Sequence, residues 1–154
     1  MNIRKATASD IAAIKRLFWE LDTDAVMHQP EHFQRVERPD AYLTGIIENQ
    51  KADFLLATIG DEEVVGFSLI FEKETGDISC LKKCRYGYIQ DFVVAAGHRN
   101  KGYGAALLDA SKEWARERGL DYLRLSVFPT NEGGIRFYSR HGLGVNMITM
   151  ECEL

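Results

Sequence analysis

Residues 88–118 constrain this 154-residue chain more than any other stretch, because they read as an apolar strand, a glycine-bearing loop and a long amphipathic helix in immediate succession. The strand, Tyr88 to Val94, is rich in the β-branched and aromatic side chains that suit a pleated, half-buried surface. The loop runs Gly97-His98-Arg99-Asn100-Lys101-Gly102-Tyr103-Gly104. Beyond it, Leu107, Leu108, Ser111, Trp114 and Ala115 recur at helical spacing up to Gly119, a natural residue just past a helix end. A helix N-terminus exposes unpaired N–H groups and the positive end of the helix dipole. Gly102 and Gly104 present no side chain to keep an anion from those groups, and Arg99 and Lys101 add positive charge beside them. The stretch predicts a phosphate-binding turn.

The glycine spacing separates the phosphate ligands. Gly97 and Gly102 stand as far apart as the glycines of a nucleoside-triphosphate loop, but Tyr103 occupies the place of its lysine and Gly104 that of its Ser or Thr. A dinucleotide fingerprint needs a third glycine where Leu107 stands, and it opens the first strand–helix unit rather than the middle of a chain.

The pattern Arg99-x-x-Gly102-x-Gly104 after a strand ending at Val94 closely resembles the pyrophosphate loop of the GNAT superfamily of acetyl-CoA-dependent N-acetyltransferases. By itself the pattern also suits a plain strand–turn–helix connection with two glycines for tight geometry. A second stretch, Asn131-Glu132-Gly133-Gly134-Ile135-Arg136-Phe137-Tyr138 followed by Gly142, resembles the closing motif of the same family. The two occur in the family's order with a strand, Tyr122 to Val127, between them. The resemblance spans the chain in element order, and its specific motifs lie within about residues 88–143. One departure is Gly133-Gly134, where the family usually has at least one Ala; each interior Gly costs about 1 kcal/mol of helix propensity.

The remaining elements follow from periodicity and punctuation. A first strand covers Asn2 to Ala6, and a helix capped at Ser9 or Asp10 presents Ile11, Ile14, Leu17, Phe18 and Leu21 on one face. Residues 22–38 read as irregular, Pro39 opens a second helix, and Phe54–Ile59 with Val64–Phe71 form a strand pair around a turn at Gly60-Asp61. Residues 72–84 read as a loop, and a final strand is expected from about Val145 to Glu153. Interleaved strands and helices predict an α/β (α+β) sandwich with a mixed, mainly antiparallel sheet flanked by helices, in a single domain spanning 1–154. The resemblance implies the GNAT fold, whose splayed sheet admits the cofactor between two parallel central strands.

With acetyl-CoA as co-substrate, the resemblance implies that Arg99, Asn100, Lys101, Gly102, Tyr103, Gly104 and Ala105 hold its pyrophosphate. It implies that Phe92, Val93 and Val94 lie along the pantetheine arm, as does Asn131, which can cap its helix at the same time. The N–H of Val93 is the candidate donor to the thioester oxygen, where charge develops during transfer. Taking the proton from a lysine-like amine at neutral pH costs about 4–5 kcal/mol, so a base is useful. Related members often carry Glu immediately before Asp on this strand, but Gln90 stands there and Asp91 is the nearest carboxylate. Strand alternation puts Asp91 on the face of Ile89 and Val93, where desolvation raises its pKa; a backbone hydrogen-bonding role is the equal alternative. Tyr138 is the candidate acid for the leaving thiolate. Adjacent helical residues diverge, so Phe137 in the core turns Tyr138 elsewhere.

Glu20, Asp22, Asp24 and Glu31, with no Lys or Arg between residues 19 and 33, suggest an acidic rim and a cationic acceptor, whether a small molecule or a peptide amine. Pro30 separates His28 from His32, so no metal site is expected. A net charge of −4 argues against nucleic acid. No apolar run reaches membrane-spanning length, and the start of the chain carries no signal-like segment. Three cysteines, Cys80, Cys84 and Cys152, read as reduced thiols of a cytoplasmic protein. A homodimer is left open. The leading expectation is an N-acetyltransferase acting by direct attack of an amine on the thioester. A non-catalytic acyl-CoA-binding or sensing module of the same fold competes with it because of Gln90, and a nucleotide-binding domain competes weakly.

Overall fold

The computed structural model describes residues 1–60 and 62–154. Five strands form one sheet in sequence order: β1 (Asn2–Lys5), β2 (Ala52–Ile59), β3 (Glu63–Glu74), β4 (Arg85–Val94) and β5 (Tyr122–Leu125). The first four pair antiparallel, while β4 and β5 run parallel. Helices α1 (Ile11–His28) and α2 (Asp40–Ile47) precede β2, α3 (Tyr103–Glu117) joins β4 to β5, and α4 (Glu132–Arg140) follows β5. The mixed α/β architecture and mainly antiparallel sheet are those expected from the sequence.

Apolar alternation along β2 and β3 assigns each face of the sheet its own helices. Ile14, Leu17 and Phe18 of α1, with Leu43 and Ile46 of α2, bury Phe54, Leu56, Phe67, Leu69 and Val93. On the opposite face Leu107, Leu108, Trp114 and Ala115 of α3 cover Leu55, Ala57, Val65, Ile70 and Ile89, and Phe137 and Tyr138 of α4 pack against the same cluster. A short 3-10 turn, Ala8–Asp10, leads into α1. There Asp10 accepts a hydrogen bond from the Thr7 N–H at 2.8 Å and two from the Arg4 guanidinium, each at 2.8 Å. Helix α3 stops as its sequence predicts: Gly119 takes φ +64°, and the N–H of Leu120 reaches back to the carbonyl of Ala115 at 3.0 Å.

Several expectations need correction. Helix α1 continues to His28 rather than breaking at residue 22, because Asp22 is held by Arg38 and Asp24 by Arg99, partners far along the chain. Residues 72–74 belong to β3, whose pairing with β4 extends to Glu74 opposite Arg85. Strand β5 ends at Leu125 and closes the sheet, so the parallel pair lies at its edge rather than its centre. Residues 143–154 form no strand and stand largely exposed, since a strand needs a neighbour and this segment has none within the described residues. Gly60 has φ +59°, as a turn requires, while Asp61 of the expected turn lies outside the described residues.

Candidate active site

A β-bulge sets the geometry of the site. Leu69 pairs with Asp91 and its neighbour Ile70 with Ile89, so Gln90 is an extra residue on β4 with no partner on β3. The extra residue reverses the alternation. Ile89 lies with the α3 cluster, whereas beyond the bulge Val93 joins the α1 cluster and Phe92 and Val94 the α3 cluster. Asp91 therefore shares a face with Val93 but not with Ile89. Pairing with β5 stops at the same point: Ile89 opposes Leu125, and residues 90–94 have no β5 neighbour. A gap opens there between the two parallel strands.

The hydrogen-bond phase decides which backbone groups face that gap. The N–H of Ala95 donates to Val65 of β3 at 2.8 Å. Main-chain groups two residues apart point to the same side of a strand, so Val93 also faces β3. The main chain of Phe92 and Val94 faces the gap. The carbonyl of Val94 accepts a 3.0 Å bond from Arg99 Nε, whose guanidinium also pairs with Asp24 of α1 at 2.7 Å. Arg99 thereby ties the loop to both the strand and the first helix.

The loop then turns into α3 through two left-handed residues, Asn100 at φ +61° and Gly102 at φ +87°. Lys101 Nζ donates to the carbonyl of Gly97 at 2.8 Å. Gly102 is the N-cap residue and supplies no side-chain cap, so the N–H groups of Tyr103, Gly104 and Ala105 carry the dipole's positive end without a helical partner. Phe137 of α4 packs over Gly104: a Cβ there would lie 3.4 Å from its Cζ, an ordinary van der Waals contact.

Helix α4 is capped by Asn131, whose Oδ1 accepts from Gly134 N at 2.9 Å, leaving the side-chain amino group as a donor. A Cβ on Gly134 would sit 2.6 Å from that amide nitrogen, whereas one on Gly133 would meet nothing within 4 Å, so the cap accounts for glycine at 134 alone. The rings of Phe137 and Tyr138 lie 6.2 and 6.0 Å from that of Phe92. Contrary to expectation, both residues pack against the same cluster, because Phe92 lies between the two directions that adjacent helical positions define. Burial pushes the Tyr138 phenol up to about 12, so it holds its proton throughout the neutral range. Burial also raises Asp91, partly offset by Gln90, whose Nε2 donates to it at 3.3 Å, and by the charge of Arg38. Asp91 and Tyr138 thus flank β4 from opposite faces where the gap begins.

The acidic rim does not stand as expected. Asp22 is buried and accepts from both Arg38 and the Val36 N–H. Asp24 is paired with Arg99, and Glu20 accepts from the Ala96 N–H at 3.0 Å. Glu31 is exposed. An open groove of about 300 Å³ lies between α1 and the loop, lined by Trp19, Glu20, Thr23, Asp24, Ala96, Gly97 and Arg99. Phe33, Phe128 and Thr130, which the sequence did not single out, gather around His28 at the end of α1. Phe128, after β5, stacks on His28 with ring centres 5.3 Å apart and meets Phe33 edge-on at 5.2 Å. His28 Nδ1 also lies 2.7 Å from Thr130 Oγ1. No local pattern signals these contacts, since they join positions about a hundred residues apart.

His32 pairs with Glu151 at 2.7 Å, and among the described residues no cluster of His, Cys, Asp and Glu is suited to hold a metal ion. All three cysteines are free. Among the described residues no helix is long and apolar enough to cross a membrane.

Known proteins resemble this chain in sequence and in fold. Residues 11–143 match the acetyltransferase (GNAT) family. An N-acetyltransferase of Bacillus subtilis strain 168 named YhfO, described as uncharacterized, is 30% identical over 146 residues, covering 92% of this chain and 89% of that protein. Streptothricin acetyltransferase A of the same organism is 30% identical over 110 residues, 71% of this chain and 57% of that one. Among solved structures, a tetramutant of the BH1408 protein of Bacillus halodurans superposes with a TM-score of 0.93 at 24% identity, covering all of both chains. With the family match over residues 11–143 and a relative aligned over nearly the whole chain, this protein belongs to the GNAT family of acetyltransferases.

Proposed function

We propose that the protein transfers an acetyl group from acetyl-CoA to an amine by direct attack. The observation that carries the reading is the bulge at Gln90, which opens a gap beside β4 immediately before a loop of unpartnered N–H groups. The left-handed residues Asn100 and Gly102 shape the turn into α3, whose uncapped N–H groups suit a pyrophosphate. The backbone of Arg99 to Ala105 would hold that group, and Phe92, Val94 and Asn131 would bind the pantetheine arm along the gap.

The chemistry assigned to this chain has three parts. Asp91, on the α1 face, takes the proton of the incoming amine as its nitrogen bonds to the acetyl carbon. A gap-facing N–H of Phe92 or Val94, rather than that of Val93, donates to the acetyl oxygen as charge develops there. Tyr138, on the other face, donates a hydrogen bond to sulfur as the C–S bond breaks. A phenol at about 12 is a weaker acid than an ordinary thiol near 8.5, so Tyr138 steadies the thiolate and solvent supplies its final proton.

A small-molecule amine is the favoured acceptor, supported by a relative named for acetylating streptothricin. Cationic selectivity rests on Asp91, since most of the rim carboxylates already have partners. The sensing-module alternative has one observation in its favour, the amide Gln90 where a carboxylate base is frequent. Amine-dependent thiol release from acetyl-CoA, across a panel of diamines, aminoglycosides and lysine peptides, separates the two. Release with at least one amine is expected. Tight CoA binding without release for any amine would make the protein a binding module.

A further inference from the structure

Phe18 and Asp22, one turn apart, are both buried residues of α1. The Phe18 ring lies 4.9 Å from that of Phe67 on β3, and Phe67 pairs with Val93 of β4. The next pair along the same face is Leu69 with Asp91, and Leu69 belongs to the cluster of Phe18 and Val93. Asp91 therefore lies beneath the part of α1 that carries Phe18 and Asp22.

Arg38 reaches this place from the segment between α1 and α2. Its guanidinium carbon stands 4.2 Å from the centre of the Phe18 ring. Nη2 donates to Asp22 Oδ1 at 2.8 Å, and Nη1 donates to Asp22 Oδ2 and to the Val36 carbonyl, the latter at 3.0 Å. A two-pronged pair combined with a ring stack fixes both the position and the plane of a guanidinium. Asp22 is 7% exposed, and an ion pair taken this far from water adds little stability over apolar packing. Anchoring the segment does not by itself account for charges here.

The groups that act on Asp91 come from each element around it. On its own strand Gln90 Nε2 donates to it at 3.3 Å, and Leu69 opposite it on β3 is apolar. Helix α1 brings Asp22, the following segment brings Arg38, and Tyr138 holds its proton on the other face of the sheet. Burial disfavours the Asp91 carboxylate most and the charge of Asp22 adds to that, while Gln90 and Arg38 favour it. Among these groups Arg38 is the cation.

We infer that Arg38 is a positioning residue for Asp91: Asp22 and Phe18 hold its guanidinium where its positive charge favours the carboxylate over the acid. Without that charge, a carboxyl in this apolar setting keeps its proton further up the pH range and accepts an amine proton less readily at neutrality. The consequence for transfer rests on the proposed role of Asp91 as base, whereas the electrostatic coupling itself does not.

A carbon NMR titration of the Asp91 carboxyl in the ligand-free protein, beside the pH–rate profile of acetyl transfer, tests this. Arg38→Gln should move the carboxyl midpoint to higher pH and carry the acid limb of kcat/KM with it. The loss should be about tenfold on that limb, with little change on the plateau. Arg38→Lys, which keeps the charge, should titrate between Arg38→Gln and the wild type. Should Arg38→Gln fail to fold with Asp22 left unpaired, Asp22→Asn with Arg38→Gln removes both charges. The midpoint should then rise by less, because the opposing charge of Asp22 goes too. A midpoint that does not rise in the variant that folds overturns the inference, and an equal loss of rate at every pH beside it marks Arg38 as an anchor alone. A midpoint that rises while Asp91→Asn keeps the wild-type acid limb upholds the coupling and instead removes Asp91 as the base.

Discussion

Ile89 and Asp91, two residues apart on β4, lie on opposite faces of the sheet, because Gln90 between them has no partner on β3. Regular alternation would have kept Asp91 in the α3 cluster, away from α1 and the segment carrying Arg38. The bulge turns it toward the α1 side and ends the pairing with β5 at the same step.

Asp91→Asn should slow acetyl transfer about 10²–10⁴-fold at neutral pH, the usual loss of a positioned base, and be partly rescued at high pH. In the wild type the carboxylate form is the active one, so the rate rises as Asp91 loses its proton. Burial raises that pKa, which moves the acid limb of the pH–rate profile above the ordinary carboxylate range. An equal loss at every pH would remove Asp91 from proton transfer.

Tyr138→Phe keeps the ring against Phe92 and deletes the hydroxyl, so folding and CoA affinity should hardly change. Removing one donor to a developing charge typically costs about 10²–10³ in kcat, and the loss should fall on kcat more than on KM. Because the phenol sits at about 12, the wild type should show no alkaline loss attributable to Tyr138 below pH 11. Wild-type turnover by the Phe variant, with an acceptor slow enough for chemistry to limit, would make Tyr138 a packing residue.

Gly102 and Gly119 provide a matched pair, since both take positive φ, +87° and +64°. A β-branched side chain is strained at either position, at a cost of about 1–3 kcal/mol. Gly102→Val and Gly119→Val should therefore lower the melting temperature similarly. Only Gly102→Val should abolish the upward shift caused by CoA, because it alone displaces the loop's N–H groups. Loss of the CoA shift in both variants would assign the effect to stability rather than to the loop.

Acid should weaken the start of α1. Arg4 holds the Asp10 carboxyl down to about 2 from an ordinary 3.8. A depressed acid stabilises the fold fully above its unfolded pKa and loses that contribution as pH falls toward the folded value. The contribution is about 2 kcal/mol, present above pH 4 and lost between about 4 and 2. Urea melts of the wild type and Asp10→Asn should differ by about that amount at pH 7 and converge near pH 2. A gap that persists at pH 2 would mean the ion pair is not its source.

What was legible in the sequence was what is local. The strand, loop and helix of residues 88–118 carry their own signals in β-branched residues, glycines and helical periodicity, and Gly119 ends α3 as its position announces. The bulge was not legible, because pairing register belongs to β3 as much as to β4, and neither strand's pattern alone shows the slip. Helix α1 runs on past Asp22 because Arg38 and Arg99 reach it from distant positions, and the same pairings neutralise the rim that composition suggested. Residues 145–153 have a strand's pattern but pair with no strand among the described residues, and a pattern does not by itself supply a partner.

The gap beside β4 is tested most directly by backbone amide NMR during titration with acetyl-CoA, with ATP as the comparison ligand. Saturable shifts are expected for acetyl-CoA at residues 100–105 and at the gap-facing amides of Phe92 and Val94, with a smaller change at Val93 and no saturable response to ATP. Shifts that leave the loop and the end of β4 untouched, or that appear with ATP and not with acetyl-CoA, would contradict that expectation.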